Sequence, residues 1–314
     1  METAILGRTG LRVTAAGLGC GGFSRLGMEK EGMDHAAGIV REAYDAGVTF
    51  FDTAAGYGTQ PAVGQGLRGV RRDSYTLSTK FTYRNPEGIL TVQQMLDSLE
   101  RSLRELETDY IDVFHIHALT AEDYVQARDT LLPGLERAKG QGKIRFIGVT
   151  ELFGSDTDHR MLDIAMPEDL FDVIMVGYNL LNPSAAKSIL PAAIQKNVGV
   201  LCMFAVRQAL WNPEQLKIDI KRILDSGQGG EGLNGNSLDF LTAGGIAGSL
   251  PEAAYRFCRH TPGISVTLTG TGSSAHLAEN LQSLEKEALP DSSLGRLHEL
   301  FGNVDCVSGQ KESW

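Results

Sequence analysis

The segment VGVLCMF, residues 198–204, is apolar from end to end, which is typical of a strand buried on both faces of a parallel sheet. Seven other short, β-rich runs have a similar character: VTAAGLG (13–19), VTFFD (48–52), YTLSTK (75–80), YIDVFH (110–115), KIRFIGV (143–149), FDVIMVGY (171–178) and ISVTLT (264–269). Helical patterns lie between these runs. In TVQQMLDSLERSLREL, residues 91–106, the apolar side chains recur at three- and four-residue steps. Eight strands that alternate with helices in 314 residues predict an α/β fold of the (β/α)8 or TIM barrel type.

A doubly wound open sheet is the alternative fold. It would carry a glycine fingerprint directly after its first strand, and GLGCGG at 17–22 is weak as such a signal because no helical pattern opens there. The barrel would form one domain over residues 1–314. The alternation of strand and helix patterns is interrupted at 207–250, a glycine-rich stretch with a helical pattern near 214–225. We interpret this stretch as a long loop after the seventh strand, with a disordered insertion as the alternative.

The composition narrows the classes of function. The formal net charge is −10 at pH 7, and a nucleic-acid-binding surface would need a basic face instead. No apolar run approaches the roughly 18 residues of a membrane helix, and METAILGRTG at the N-terminus lacks the pattern of a signal peptide. The four cysteines have no metal-ligand spacing. We therefore expect a cytoplasmic protein with reduced thiols that binds neither nucleic acid nor membrane.

Polar side chains fall at the carboxyl ends of adjacent predicted strands, where barrels of this type carry their chemistry. Asp52 ends the second strand, and Tyr57 follows in its loop. Lys80 ends the third strand, and His115 and His117 end the fourth. A nearby ammonium lowers the pKa of a tyrosine, and a carboxylate would keep that ammonium charged. The set predicts a proton donor for a developing alkoxide. A metal-binding histidine pair, as in metal-dependent hydrolases of barrel fold, is the alternative.

Three segments around these residues resemble the catalytic blocks of the aldo-keto reductases: FDTAAGYG (51–58), LSTK (77–80) and DYIDVFHIH (109–117). The segment ILGRTGLRVTAAGLGCGGFS (5–24) resembles that family's N-terminal β-hairpin and first strand, and GKIRFIGVT (142–150), DVIMVGYNLLN (172–182) and GTGSSAHLAEN (270–280) follow in order. The resemblance implies reversible hydride transfer between NADP(H) or NAD(H) and a small carbonyl or alcohol substrate. It implies Tyr57 as the general acid, assisted by Lys80 and Asp52, with His117 as the family histidine and no metal.

The resemblance also implies the residues that line the site. Cofactor-binding positions would be Gly21, Gly22, Asp52, Thr150, Glu151, Met175, Met203, Phe204, Arg207, Gly270, Thr271, Gly272, Ser274, His276, Glu279 and Asn280. Substrate-binding positions would be Phe23, Arg25, Tyr57, His117, Leu119 and Trp211. The chain departs from the family pattern at Glu151, at Met175 and at Met203, where the family commonly has asparagine, glutamine and an aromatic ring.

Several properties stay open at this level. No lysine or arginine lies between Thr269 and Asn280 to hold a 2′-phosphate, so NAD(H) is as plausible a cofactor as NADP(H). Arg207 could pair with the cofactor's pyrophosphate. Arg25 and Trp211 suit a sugar or hydroxylated carbonyl. Phe23, Leu119 and, again, Trp211 suit a bulky apolar ketone. The direction of the reaction and the choice between monomer and homo-oligomer are unpredicted. A cofactor-binding regulatory subunit with little turnover is the alternative function.

Overall fold

A computed structural model describes residues 1–311 of the chain. An N-terminal hairpin pairs β1 (Thr3–Ile5) antiparallel with β2 (Arg12–Thr14). Eight parallel strands then close into a barrel in chain order. They are β3 (Ala16–Gly19), β4 (Phe50–Asp52), β5 (Thr76–Thr82) and, after a small ribbon of β6 (Arg84–Asn85) and β7 (Gly88–Ile89), β8 (Ile111–Leu119), β9 (Ile144–Glu151), β10 (Val173–Gly177), β11 (Gly199–Met203) and β12 (Val266–Thr269). The predicted (β/α)8 barrel is confirmed, and the open sheet is wrong.

The helices cover the outside of the barrel, as the periodicity predicts. Their bounds are α1 (Met28–Glu31), α2 (Met33–Asp45), α3 (Gln60–Gly66), α4 (Val92–Glu105), α5 (Tyr124–Gly140), α6 (Arg160–Glu168), α7 (Ile189–Lys196), α8 (Pro213–Ser226), α9 (Phe240–Ala243), α10 (Leu250–Arg259), α11 (Ser274–Glu285) and α12 (Asp291–Phe301). Helix α4 begins with a capping box, in which Thr91 and Gln94 satisfy each other's backbone N–H groups. Met95 and Leu99 of its apolar stripe are fully buried, so this stripe faces the sheet.

The hairpin closes the amino-terminal end of the barrel. Leu6 and Val13 are fully buried in the cluster inside the barrel that also contains Phe50. Gly7 approaches the start of β11 so closely that a Cβ there would lie 2.2 Å from the Gly199 nitrogen. Residues 12–14 pair with β1 in the hairpin, and the barrel strand β3 begins only at Ala16. The prediction of one continuous strand over 13–19 is therefore wrong.

Two strands extend further than the sequence predicts. Strand β5 runs past Lys80 to Thr82, and β8 runs past His115 to Leu119. The two strands pair in parallel, with Lys80 opposite His115 and Thr82 opposite His117. Lys80 and the histidines therefore lie within the mouth of the barrel rather than in the loops beyond it.

The segment at 207–250 is folded, so the disordered insertion is wrong. It contains α8, which confirms the helical pattern near 214–225, and the Asn212 side chain accepts the N–H groups of Glu214 and Gln215 at its start. Apolar side chains of α8 and α12 share one buried cluster: Leu216, Ile220, Ile223, Leu297, Leu300 and Phe301. Each fully buried side chain of this size contributes about 1.5–3 kcal/mol, which holds the insertion on the barrel.

Within residues 1–311, none of the helices has the length and apolar character to cross a membrane. The prediction of one domain over 1–314 includes residues 312–314, which lie outside the described residues, and it stays a prediction.

Candidate active site

A buried ion pair lies at the mouth of the barrel. Lys80 is fully buried, and its Nζ donates to Asp52 Oδ2 at 2.6 Å and to the Thr53 carbonyl at 2.8 Å. Asp52 is 3% exposed, so neither charge can be solvated by bulk water. The pairing arises because β4 and β5 are neighbours whose register puts Asp52 opposite Ser78, two residues before Lys80.

Tyr57 lies directly above this pair, on the short helical turn Ala55–Tyr57 that follows β4. Lys80 Nζ is 5.0 Å from the centre of the Tyr57 ring, and the Tyr57 hydroxyl is 3.3 Å from His117 Nε2. Two of the three N–H groups of Lys80 are used by Asp52 and Thr53, which leaves one for the tyrosine. The four side chains that the sequence singles out are thus brought together.

Gly21 makes room for the tyrosine ring. A Cβ at position 21 would lie 2.3 Å from Tyr57 Cε2, closer than two carbon atoms can approach without displacement. The glycine after β3 therefore fixes where the phenol stands, which its position in the sequence alone does not reveal.

Burial decides the ionisation of the cluster. Burial raises the pKa of Tyr57 above its ordinary value, although the Lys80 ammonium lowers it. The sequence analysis is right that Lys80 lowers the pKa of Tyr57. It is wrong about the direction of the overall shift, because burial raises this pKa by more than Lys80 lowers it. Burial lowers the pKa of Lys80, but Asp52 and Tyr57 together raise it by more. Burial and then the Lys80 cation lower the pKa of His117 to about 3. At neutral pH, Tyr57 is therefore protonated, Lys80 is charged and His117 is neutral.

Two further polar side chains continue this cluster into the barrel: Ser78, which the sequence analysis did not single out, and His115, which it grouped with His117 as the alternative metal-binding pair. Ser78 Oγ donates to Asp52 Oδ1 at 2.7 Å and lies 3.0 Å from His115 Nε2. Both residues are fully buried. The i, i+2 spacing of Ser78 with Lys80 is the signal that could have found Ser78, because alternate residues of a strand share a face.

A cavity of about 770 Å³ opens above the cluster. Most predicted cofactor positions line it: Gly21, Gly22, Asp52, Met175, Met203, Phe204, Arg207, Gly270, Thr271, His276, Glu279 and Asn280. Of the predicted substrate positions, Phe23, Tyr57 and Trp211 line it, and both Phe23 and Trp211 are largely exposed. Ser24, which the loop after the first strand was expected to contribute, lines it as well, whereas the sequence analysis missed Gln208, Glu252, Tyr255 and Gln310.

Four predicted cofactor positions lie outside the lining of this cavity. Thr150 Oγ1 accepts the Ala118 N–H at 2.6 Å. The Glu151 carboxylate accepts the Gly177 N–H at 2.7 Å and lies 2.9 Å from His159 Nδ1, so it faces a buried histidine instead of the cavity. Gly272 and Ser274 also face elsewhere: a Cβ on Gly272 would lie 2.3 Å from the Gly27 nitrogen, and Ser274 is exposed at the start of α11.

Three predicted substrate positions lie outside the lining of this cavity. Arg25 pairs with Glu29 at 2.7 Å, one helical turn away, and does not line the cavity. Leu119 is fully buried in the core, because a bulge in β8, where Ala118 has φ +53°, turns it outward from the barrel. His117 is outside the lining as well, but it reaches the site through Tyr57.

Arg207 ends a stack of flat side chains at the cavity wall. Its guanidinium carbon lies 3.9 Å from the centre of the Phe204 ring, which stacks on Phe153, which stacks on His159. Arg207 is 5% exposed, and its Nε has no hydrogen-bond partner among the described residues. Burial lowers its pKa to about 10, so the group is still a cation at neutral pH. A buried cation with an unpaired donor is suited to bind an anion.

The other end of the cavity follows β12. Asn280 Nδ2 donates to Thr269 Oγ1 at 2.9 Å, and this hydroxyl is 2.8 Å from that of Tyr255. Glu279 and His276 are exposed on the first turns of α11 and line the same end. Among the cavity-lining residues of the described chain, Arg207 is the sole lysine or arginine.

The histidine pair lacks the other ligands of a metal site. Across residues 1–311, no group of three or more His, Cys, Asp or Glu side chains is arranged to hold a metal ion. His115 Nε2 is engaged with Ser78 and His117 Nε2 with Tyr57, so the metal-dependent hydrolase has no donor set to support it.

Comparison with known proteins gives a consistent set of matches. The model of the aldo/keto reductase family matches residues 17–301. L-galactose dehydrogenase of Arabidopsis thaliana is 33% identical over 208 residues, which cover 64% of this chain and 64% of that enzyme. D-threo-aldose 1-dehydrogenase of Pseudomonas sp is 27% identical over 67% of this chain and 71% of that enzyme. L-glyceraldehyde 3-phosphate reductase of Escherichia coli K12 is 26% identical over 100% of this chain and 96% of that enzyme.

The fold also matches solved structures. An aldo-keto reductase from Bacillus halodurans, solved in its holo form, superposes with a TM-score of 0.73 at 23% identity and covers 97% of both chains. At this identity the likeness bears on the fold alone, and it agrees with the closed barrel described above.

Proposed function

The chain belongs to the aldo/keto reductase family, whose members are NAD(P)H-dependent oxidoreductases, and we propose that it transfers hydride reversibly between a nicotinamide dinucleotide and a carbonyl or alcohol, with Tyr57 as the proton donor and acceptor. The observation that carries this proposal is the buried Asp52–Lys80 ion pair beneath a protonated Tyr57 at the floor of the cavity. None of these side chains forms a nucleophile–base pair, so the group is suited to proton transfer and not to covalent catalysis.

The mechanism divides the work among the four side chains. Tyr57 gives its proton to the oxygen that becomes an alkoxide, and the Lys80 ammonium stabilises the phenolate left behind. Asp52 keeps Lys80 charged despite its complete burial. Neutral His117, whose Nε2 is 3.3 Å from the Tyr57 hydroxyl, orients the substrate oxygen by hydrogen bonding. Oxidation of an alcohol runs these proton movements in reverse.

The cavity supports a dinucleotide as the partner of this cluster. When bound, the cofactor's nicotinamide supplies or accepts the hydride. Buried Arg207, with its unpaired Nε, would hold the pyrophosphate. The backbone at Gly270 and Thr271, just before the N-terminus of α11, would approach the pyrophosphate closely. Met175 and Met203 offer apolar contact to the nicotinamide ring in place of the family's usual side chains.

We further propose that NAD(H) is preferred over NADP(H). The end of the cavity at α11 carries Glu279 and no lysine or arginine among its described lining residues. A 2′-phosphate there would meet a carboxylate without a cation to pair with, whereas the 2′-hydroxyl of NAD(H) can donate to that carboxylate.

The proposed substrate is a sugar or a related hydroxylated aldehyde. Exposed Phe23 and Trp211 stand at the cavity among the polar side chains of Ser24, Gln208 and Gln310. Aromatic faces with polar neighbours suit a ring that carries both C–H and O–H groups. The similarity to L-galactose dehydrogenase and to D-threo-aldose 1-dehydrogenase supports a sugar as the substrate class. A cytoplasmic location stays part of the proposal.

Titration of the purified protein with NADH and NADPH, followed by cofactor fluorescence, tests the proposal first. We expect tighter binding of NADH, and NAD+-dependent oxidation of one or more aldoses that Tyr57→Phe abolishes while NADH binding persists. Near-normal turnover by Tyr57→Phe would refute the assignment of the proton donor. Tight cofactor binding without turnover on sugars, aldehydes or apolar ketones would favour the regulatory subunit, for which the diversion of Thr150 and Glu151 from the cavity is the supporting observation.

A further inference from the structure

The buried pair Ser78 and His115 extends the hydrogen-bond network of the Asp52 carboxylate beyond Lys80. Ser78 Oγ is 2.7 Å from Asp52 Oδ1 and 3.0 Å from His115 Nε2, and both side chains have no exposure to solvent. We propose that Ser78 and His115 act as positioning residues, which hold Asp52 ionised and directed at Lys80, and thereby set the proton affinity of Tyr57. This inference rests on the function proposed above for Tyr57.

The hydrogen-bond inventory fixes the direction of each bond. A serine hydroxyl has one hydrogen, and Ser78 gives it to Asp52, which as a carboxylate can only accept. His115 Nε2 must therefore be the donor to Ser78 Oγ. Its other nitrogen, Nδ1, then carries no hydrogen, although the backbone of Val149 also acts on the ring. Burial and the Lys80 cation hold the pKa of His115 well below its ordinary value. The imidazole is consequently neutral and held in one tautomer.

The neighbouring strand is shaped to admit this imidazole. Gly148 of β9 lies opposite His115 in the sheet, and a Cβ at position 148 would lie 2.2 Å from His115 Nδ1. Any side chain at that position would push the ring away from Ser78. The glycine and the histidine therefore form one arrangement, which makes a chance contact of His115 with Ser78 a poor explanation.

The electrostatic surroundings explain why the pair matters. Ionisable groups from three elements interact electrostatically with Asp52: Cys20, which follows β3, Tyr57 from the loop after β4, and Lys80 from β5. His115 and His117 of β8 interact in turn with Lys80. Burial raises the pKa of Asp52, while Lys80 and then the Ser78 hydrogen bond lower it. Without Ser78, the proton of Lys80 would pass more readily to Asp52 and leave a neutral amine. A neutral amine cannot stabilise the Tyr57 phenolate, so the pKa of Tyr57 would rise further.

Three variants test this assignment in the full-length protein. Ser78→Ala removes the donor to Asp52, His115→Leu removes the donor to Ser78, and His115→Gln keeps an N–H donor in place of Nε2. The Tyr57 hydroxyl is titrated by 13Cζ-tyrosine NMR, with Tyr57→Phe used to assign its resonance. The turnover, the Kd for NADH and the thermal midpoint are measured on the same samples.

We expect Ser78→Ala and His115→Leu to raise the apparent pKa of Tyr57 by about one unit and to lower kcat about tenfold, the scale of one hydrogen bond to a charged group. The Kd for NADH should stay within about twofold of the wild type, because neither side chain lines the cavity. His115→Gln should restore most of the wild-type titration. A purely structural role would lower the thermal midpoint in all three variants without moving the Tyr57 titration.

Unchanged Tyr57 titration in both Ser78→Ala and His115→Leu would overturn the inference even if turnover fell. The NMR titration needs no turnover, so it separates the two proposals. If the wild type oxidised no substrate but the two variants still shifted the titration, the positioning pair would stand and the proposed oxidoreductase activity would fail.

Discussion

Replacing Lys80 by methionine leaves the Asp52 carboxylate buried without its cation. Nζ of Lys80 is 2.6 Å from Asp52 Oδ2, and Asp52 is only 3% exposed, so burial favours the protonated form of Asp52 in the folded variant. Holding that proton costs about 1.4 kcal/mol for each pH unit above the ordinary pKa of about 3.9 that the unfolded chain has. Because burial already raises the pKa of Asp52 in the wild type, these costs are upper limits. The free energy of unfolding should fall by at most roughly 1.5 kcal/mol at pH 5 and by at most roughly 5.5 kcal/mol at pH 8.

The sign of this pH dependence is the sharp part of the prediction. The folded-state pKa of Asp52 rises in the variant. The part of the stability loss that comes from protonating Asp52 is therefore absent below the unfolded-state pKa and grows as the pH increases. Urea unfolding followed by circular dichroism at pH 5 and pH 8 measures it for wild type, Lys80→Met and the double variant Lys80→Met/Asp52→Asn. The double variant has no carboxyl to titrate, so its deficit should be equal at both pH values. Equal deficits of the single variant at pH 5 and pH 8 would refute the reasoning.

Three other predictions follow from the site. Arg207→Met should weaken NADH binding about 10- to 100-fold, measured by fluorescence titration, because a buried charge-assisted contact is lost; unchanged affinity would remove Arg207 from the pyrophosphate site. Gly21→Ala should lower kcat by at least about tenfold, because its Cβ would lie 2.3 Å from Tyr57 Cε2; a wild-type kcat would show that the ring can move freely. Because burial holds the pKa of Tyr57 above its ordinary value and that of His117 at about 3, alcohol oxidation should accelerate from pH 7 to pH 10 with no limb from His117. A fall in the oxidation rate below about pH 6 that disappears in His117→Gln would contradict the low pKa of His117.

The barrel fold could be predicted because each of its strands and helices has a recognisable pattern within its own stretch of sequence. Each barrel strand is an apolar run whose side chains are buried on both faces, and each outer helix has a single apolar stripe, so composition alone separates them. The strand ends were less accessible. Strand β5 continues past Lys80 to Thr82, and β8 continues past His115 to Leu119, because the two strands pair with each other. Pairing is a property of two segments and cannot be read from one. For the same reason, nothing in residues 213–226 indicates that α8 packs on α12, although 64 residues (227–290) separate the two helices in the chain.

The candidate site was predicted as far as strand order allows. Adjacent strands in the barrel predict adjacent side chains, which is how Asp52, Lys80 and His117 could be grouped with Tyr57 before the structure was known. Side chains that leave the expected face could not be placed that way. Leu119 turns into the core at the bulge in β8, and Glu151 turns to His159, eight residues further along the chain. Both follow from local backbone geometry that a one-letter pattern of apolar and polar residues does not encode.

The pKa of Tyr57 shows why a correct set of neighbours is still insufficient for chemistry. The sequence names the cation that favours the phenolate, but the structure adds the burial that disfavours it, and burial is the larger of the two. A tyrosine that remains protonated at neutral pH can donate its proton without any prior ionisation, and Lys80 then acts on the phenolate only as it forms. An interaction that strengthens while the proton leaves stabilises the transition state more than the ground state. The ammonium is therefore more useful beneath a buried tyrosine than beside an exposed one, where it would merely have ionised the acid before the substrate arrived.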